Sequence, residues 1–86
     1  MQIQYHKNFT KNFKKLTPKL KQKTISTIKQ FTKDPHNPLL RNHALKGRMQ
    51  GLRAFSITGD VRIIFKEKNN YILVIMLDIG IHNQVY

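Results

Sequence analysis

Cysteine and tryptophan are absent from this 86-residue chain, and only four of its residues are acidic. Without cysteine there are no disulfides and no thiolate metal sites, which suits a reducing compartment. Four carboxylates and four scattered histidines give no carboxylate-rich metal cluster, and no histidine pair has the helical spacing of a zinc site. No metal or cofactor is expected. Long apolar runs are missing as well. The longest, Tyr71 to Leu77, falls far short of the ~20 residues that a membrane-spanning helix needs. The opening Met1-Gln-Ile-Gln-Tyr5 lacks the apolar stretch of a signal peptide. These absences lead us to expect a soluble, cytoplasmic protein with no membrane partner. The length suits one compact domain over residues 1–86 with a modest core. No repeat, linker or low-complexity tract divides it.

What the chain has in excess is positive charge. Sixteen Lys+Arg against four Asp+Glu give a formal net charge of +12 and a sequence pI near 10.4. Such an imbalance repels itself in a small fold and implies a polyanionic partner, nucleic acid first among them.

The periodicity reads β-α-α-β-β-β. Gln2 to Tyr5 alternates as a short strand. From Lys7 to Leu16, Phe9, Phe13 and Leu16 share one helical face, with Lys7, Lys11, Lys14 and Lys15 opposite. Thr17-Pro18 restarts a helix, with Thr as N-cap and Pro at the first position. Leu20, Ile25, Ile28 and Phe31 form its apolar side, which predicts an antiparallel helical hairpin. Its lysines serve equally well as a solvated face or as a binding surface. Asp34 to Pro38 is a loop, because two prolines in five residues block regular structure. Leu52 to Thr58 and Val61 to Lys66 alternate as strands around Gly59-Asp60, and Asn69-Asn70 turns the chain into a third, Tyr71 to Ile79. The fold class is α+β: a two-helix hairpin packed on one face of a small antiparallel sheet.

Two-residue loops at both hairpins fix a register. Thr58 pairs with Val61, Ile57 with Arg62 and Arg53 with Lys66; Lys68 pairs with Tyr71, Arg62 with Leu77 and Lys66 with Leu73. Ala54, Val61, Ile63, Phe65, Ile72, Val74 and Met76 then line the helix-covered face. Arg53, Arg62 and Lys66 stand among Phe55, Ile57, Ile64, Leu73 and Leu77 on an open, basic face suited to phosphates and unstacked bases. Ser56 falls on the covered side.

The segments His43-Ala-Leu-Lys-Gly47, Gly51-Leu-Arg53, Thr58-Gly-Asp-Val-Arg-Ile-Ile-Phe65 and Ile79-Gly-Ile-His-Asn-Gln-Val-Tyr86, in this order and spacing, resemble the RelE/ParE superfamily of bacterial toxins. The likeness spans essentially the whole chain and is strongest to the YafQ-like branch. It implies a RelE-like fold and a toxin of a type II toxin–antitoxin system. That toxin would be a ribosome-dependent endoribonuclease (mRNA interferase), a monomer when free and a hetero-oligomer with its cognate acidic antitoxin. The ribosome and mRNA would be its other partners. RNA cleavage without metal needs a base for the 2′-OH, positive charge for the pentavalent phosphate and an acid for the leaving oxygen.

Residue by residue, His82 matches the family's C-terminal catalytic histidine and Tyr86 the aromatic residue four positions later. His43 precedes the Leu-x-Gly motif, Asp60 matches an acidic residue of the hairpin turn, and Arg62 matches a phosphate-binding arginine of related RelE chains. Lys46, Arg48, Arg53 and Lys66 are further RNA-binding candidates. On residue type alone, a terminal His-Tyr pair that packs the sheet end, a turn-forming Gly-Asp and an exposed strand arginine explain the same positions. The chain departs from the YafQ-like pattern twice: Ser56 stands in place of a histidine, and Val61 in place of an aromatic. Serine cannot act as the base that histidine is, which leaves the proton relay to His43, His82 and Asp60. Two other functions fit the same fold and charge, a ParE-like inhibitor of DNA gyrase and a non-enzymatic basic RNA-binding module.

Overall fold

Both long helices begin where a side chain satisfies a first-turn amide group. In the computed structural model, which describes residues 1–85, helix α1 (Lys7–Lys14) is capped by His6, whose Nδ1 accepts from Asn8 N at 3.1 Å. Helix α2 (Pro18–Lys33) starts with Thr17 Oγ1 accepting from Leu20 N at 3.2 Å and Pro18 in its first turn. Phe9 and Phe31 are the buried anchors of the two helices. The inward stripe of α2 differs from the expected one. Ile25 is 49% exposed, whereas Thr24 and Thr27 are buried. Their hydroxyls donate to Leu20 O (2.8 Å) and Lys23 O (2.7 Å) one turn back. A threonine bonded in this way buries its methyl group without an orphaned oxygen.

Five strands form one sheet in the order β1-β5-β4-β3-β2, with β1 Gln2–Tyr5, β2 His43–Ala44, β3 Arg53–Ser56, β4 Val61–Lys68 and β5 Leu73–Ile81. The sheet is mixed rather than antiparallel, because β1 pairs parallel with β5, Ile3 opposite Val74. The helical hairpin supplies part of the long connection that parallel pairing requires. β2 and a final four-residue helix, α3 (His82–Val85), are too short to leave a period in the sequence. Among the described residues no helix is long and apolar enough to cross a membrane.

Both hairpins are longer than two residues, and this overturns the expected register. At the first, Ile57 N donates to Val61 O at 2.8 Å, and Thr58 Oγ1 accepts from Asp60 N (3.3 Å) and Val61 N (3.1 Å). Three residues, Thr58 to Asp60, therefore make the turn, and Ser56 faces Arg62 while Arg53 faces Phe65. At the second, Asn69, Asn70 and Tyr71 all have positive φ (54°, 55° and 69°), and Lys68 pairs with Leu73. Lys66 consequently faces Ile75, and a bulge between Ile64 and Phe65 adds a further slip that sets Arg62 opposite Gly80. A one-residue slip exchanges the faces of a strand. Phe55 and Ile57 thus lie under the helices, and Ala54 and Ser56 on the other side.

The main core joins Phe9, Phe31, Phe55, Ile63, Phe65, Val74, Met76 and Ile79. Phe31 stacks on Phe55 with centroids 4.5 Å apart and meets Phe65 edge-on at 5.1 Å. A smaller cluster occupies part of the opposite face. Ala54, Ile64 and Val85 are buried there, with Leu45, Leu52 and Leu77 against them. That face is therefore not open along its whole length. Asn12 Nδ2 donates to Asp78 Oδ1 at 2.7 Å, which ties α1 to β5.

Truncating Phe31 to alanine removes the hub of three aromatic contacts and should cost about 3–5 kcal/mol in urea unfolding. Ile25→Ala should cost far less. Equal losses would mean that the helix is rotated from the orientation described.

Candidate functional site

The residues at the mouth of the β3–β4 turn are set by the ladder itself. Ile57 and Val61 form a hydrogen-bonded pair, so the next pair, Ser56 and Arg62, is of the non-hydrogen-bonded kind, in which side chains approach closest. Arg62 Nη1 donates to Ser56 Oγ at 3.0 Å and to Thr58 O at 3.2 Å. Two acceptors on one nitrogen fix the guanidinium and leave its Nε–Nη2 edge suited to a bidentate phosphate contact. Arg62 is half-buried, which strengthens its field relative to a freely solvated charge.

Beyond Val61 and Ile81 the β4–β5 ladder gains one more bond. His82 N donates to Asp60 O at 2.9 Å, which brings the first residue of α3 directly across from the turn. Strand alternation carries Arg62 and Gly80 on one side, and the backbone bond brings Asp60 and His82 to the same end of the sheet. An exposed imidazole, an exposed carboxylate and a fixed guanidinium are thus gathered at one end of the sheet.

His43 lies on the same face, since it pairs with Ala54 and Ala54 with Ile64. From strand spacing, it stands about 10 Å across and about 7 Å along from Arg62. Its Nδ1 is 2.8 Å from Arg41 O. A carbonyl oxygen only accepts, so Nδ1 carries the hydrogen and Nε2 of the neutral ring keeps its lone pair. Arg41 makes this possible through a left-handed backbone (φ 52°) at the end of the 3-10 turn Pro38–Leu40.

The other expected residues spread out. Lys66 is exposed on the Arg62 face, about 13 Å away along the strand. Lys46 and Arg48 are exposed at the 3-10 turn Gly47–Met49. Arg53 does not belong to the basic face. It lies on the helix side opposite Phe65, and its Nε donates to Asn42 Oδ1 at 2.9 Å, while Asn42 Nδ2 donates to Tyr71 Oη and Pro35 O. Tyr86 lies outside the described residues. Ser56 stands at the centre of the site and not under the helices, and Arg41, which sequence periodicity did not single out, joins it. The signal that would have found Ser56 is the Thr58 hydroxyl, which favours a three-residue turn; no residue type marks Arg41. Among the described residues no group of three His, Cys, Asp or Glu stands close enough to hold a metal ion.

This arrangement can hold a phosphodiester at Arg62 and exchange protons on either side of it. Comparison with known proteins places the chain in a family. A family model of bacterial toxins of type II toxin–antitoxin systems, YafQ, matches residues 1–86. Among solved structures, the chain is similar to a conserved hypothetical protein from Helicobacter pylori, at 26% identity over 100% of this chain and 99% of that one, with a TM-score of 0.77. It also shares the fold of YafQ from E. coli, at 20% identity over 99% and 97% of the two chains and a TM-score of 0.75. A chain of the E. coli DinJ–YafQ complex matches at 21% identity over 99% and 97%, with a TM-score of 0.72. No curated protein sequence gives a match. Matched along its whole length, the chain belongs to the YafQ family of toxins from type II toxin–antitoxin systems.

Proposed function

We propose that this toxin is an endoribonuclease that cuts mRNA on the ribosome. The observation that carries this reading is the placement of Arg62, pinned by Ser56 and Thr58, beside the Asp60–His82 pair on an accessible part of the sheet. In the proposed reaction one imidazole takes the proton of the 2′-OH, and O2′ forms a bond to the adjacent phosphorus. The P–O5′ bond breaks, and the second imidazole protonates O5′ as it leaves. The products are a 2′,3′-cyclic phosphate, or the 3′-phosphate after hydrolysis, and a 5′-OH. Arg62 holds the negative charge that builds on the phosphorane oxygens. His82 and His43 form the acid–base pair, Asp60 orients His82 or accepts its proton, and Tyr86 contacts a base or the leaving group. Lys46, Arg48 and Lys66 steer the strand, whereas the tie of Arg53 to Asn42 makes it the weakest of the RNA contacts.

The solved E. coli relative is complexed with DinJ. We infer for this chain a cognate antitoxin of acidic character, because a +12 protein is neutralised most readily by a segment of opposite charge. The cytoplasm, where ribosomes translate, is its site of action under this reading.

Added to a translation extract, the protein should generate new mRNA 5′ ends bearing hydroxyl groups. His82→Ala and His43→Ala should each lower the cleavage rate by about 10²–10⁴-fold. Arg62→Ala should lower it by about 10²–10³-fold, with the fold of each variant intact by circular dichroism. Wild-type protein that leaves mRNA whole but traps DNA-cleavage complexes with gyrase would overturn the proposal in favour of a ParE-like target. Unchanged cleavage in the His82 variant would remove that residue from the mechanism.

A second expectation concerns salt. Association with programmed ribosomes should weaken steeply as salt rises, and Arg62→Ala should reduce the slope of log K against log[salt] by about one. A slope equal to that of wild type would show that Arg62 meets no phosphate.

A further inference from the structure

Behind Ser56, on the side of β3 away from β4, lies a second cleft of about 210 Å³, lined by Leu39, Arg41, Ser56, Ile57, Thr58 and Gly59. None of these residues is acidic. Arg41 is exposed, and Leu39, 81% exposed, offers an apolar surface beside it. Ser56 and Thr58 form the wall between this cleft and Arg62, because both also accept from the Arg62 guanidinium. A serine hydroxyl that accepts from Arg62 still carries its own hydrogen and can donate it to an anion. The β2 strand ends opposite Ala54. The peptide groups of Ser56, which belongs to a non-hydrogen-bonded pair with Arg62, therefore turn outward on this side.

We propose that this cleft binds the RNA nucleotide adjoining the one held at Arg62. Arg41 and the Ser56 hydroxyl take its phosphate, and Leu39 serves as an apolar ledge under its base. The assignment rests on the reading of the toxin as a ribonuclease and extends its substrate track across β3. Single-stranded RNA is recognised by cationic groups that follow the backbone together with apolar surface beneath unstacked bases, and the cleft supplies both. It also accounts for serine at position 56, since a small hydroxyl can serve two neighbouring anion sites where a larger side chain would close the passage between them. Arg41 has two separable parts here. Its carbonyl, turned by the left-handed backbone, accepts from His43 Nδ1, and its side chain lines the cleft.

Arg41→Gly separates those parts, because glycine adopts the left-handed backbone without strain and removes the side chain, guanidinium included. On programmed ribosomes this variant should raise KM about tenfold, the loss expected of one charge-assisted hydrogen bond, with kcat and its pH profile unchanged. Binding of a short 2′-O-methyl oligonucleotide, which cannot be cut, should weaken likewise, with the salt slope reduced by about one. Arg41→Lys should recover most of the affinity, and Leu39→Ser should weaken binding without altering the salt slope. Asn, which tolerates the same backbone, substitutes for Gly if that variant fails to fold. Wild-type KM and salt slope in Arg41→Gly overturn the proposal, as does a change in its pH profile, which would mean the effect runs through His43. If wild type fails to cut mRNA yet the oligonucleotide still depends on Arg41, the nuclease reading falls and the RNA site stands.

Discussion

The hydrogen bonds that Thr58 Oγ1 accepts from Asp60 N and Val61 N decide the layout of the molecule. They close a three-residue turn, and with it the side on which every β3 side chain emerges. Phe55 enters the aromatic stack with Phe31 and Phe65, which anchors α2 to the sheet. Ser56 emerges on the opposite face and meets Arg62. One local preference thus determines both the packing of the core and the composition of the site. A loop one residue shorter would place Ser56 in the core and Phe55 in solvent, at a cost of roughly a buried aromatic side chain.

The remaining charge is distributed differently from the chemistry. Nine of the sixteen basic residues fall between Lys7 and Lys33, where no acidic residue occurs, on helices that cover the face opposite Arg62. Their field reaches solvent over roughly a Debye length, about 8 Å at physiological ionic strength, and draws polyanions to the protein as a whole. Arg62, fixed by two hydrogen bonds, is of another kind, and under the proposed function it is preorganised for one position of the phosphate. Bulk attraction and local recognition would then be carried by separate sides of the fold.

The helices were legible in the sequence because their signals are local. The Phe9–Phe13 spacing and the Thr17-Pro18 cap require no knowledge of a partner. Pairing is not local in this sense. Nothing within Gln2 to Tyr5 announces that it will run parallel to Leu73–Ile81, and Gly59-Asp60 looks like a complete turn until the hydroxyl before it is considered. The resulting slip moved Ser56, Phe55 and Arg53 to the faces opposite those expected. Hydropathy marks Ile25 as a core residue, whereas Thr24 and Thr27 are buried in its place with their hydroxyls bonded within the helix. Of the candidate site, Arg62, Asp60 and His82 are proposed from motif and order, while Arg41 owes its place to a backbone angle that residue type does not reveal.

Under the proposed function, Ser56 and Arg62 work as one unit on the side of the sheet away from the helices. A double-mutant cycle with Ser56→Ala and Arg62→Gln, read on kcat/KM for mRNA cleavage, tests it directly. Coupling of about 1 kcal/mol or more is expected, so that the serine substitution costs less once the arginine is gone. Losses that simply add would contradict it.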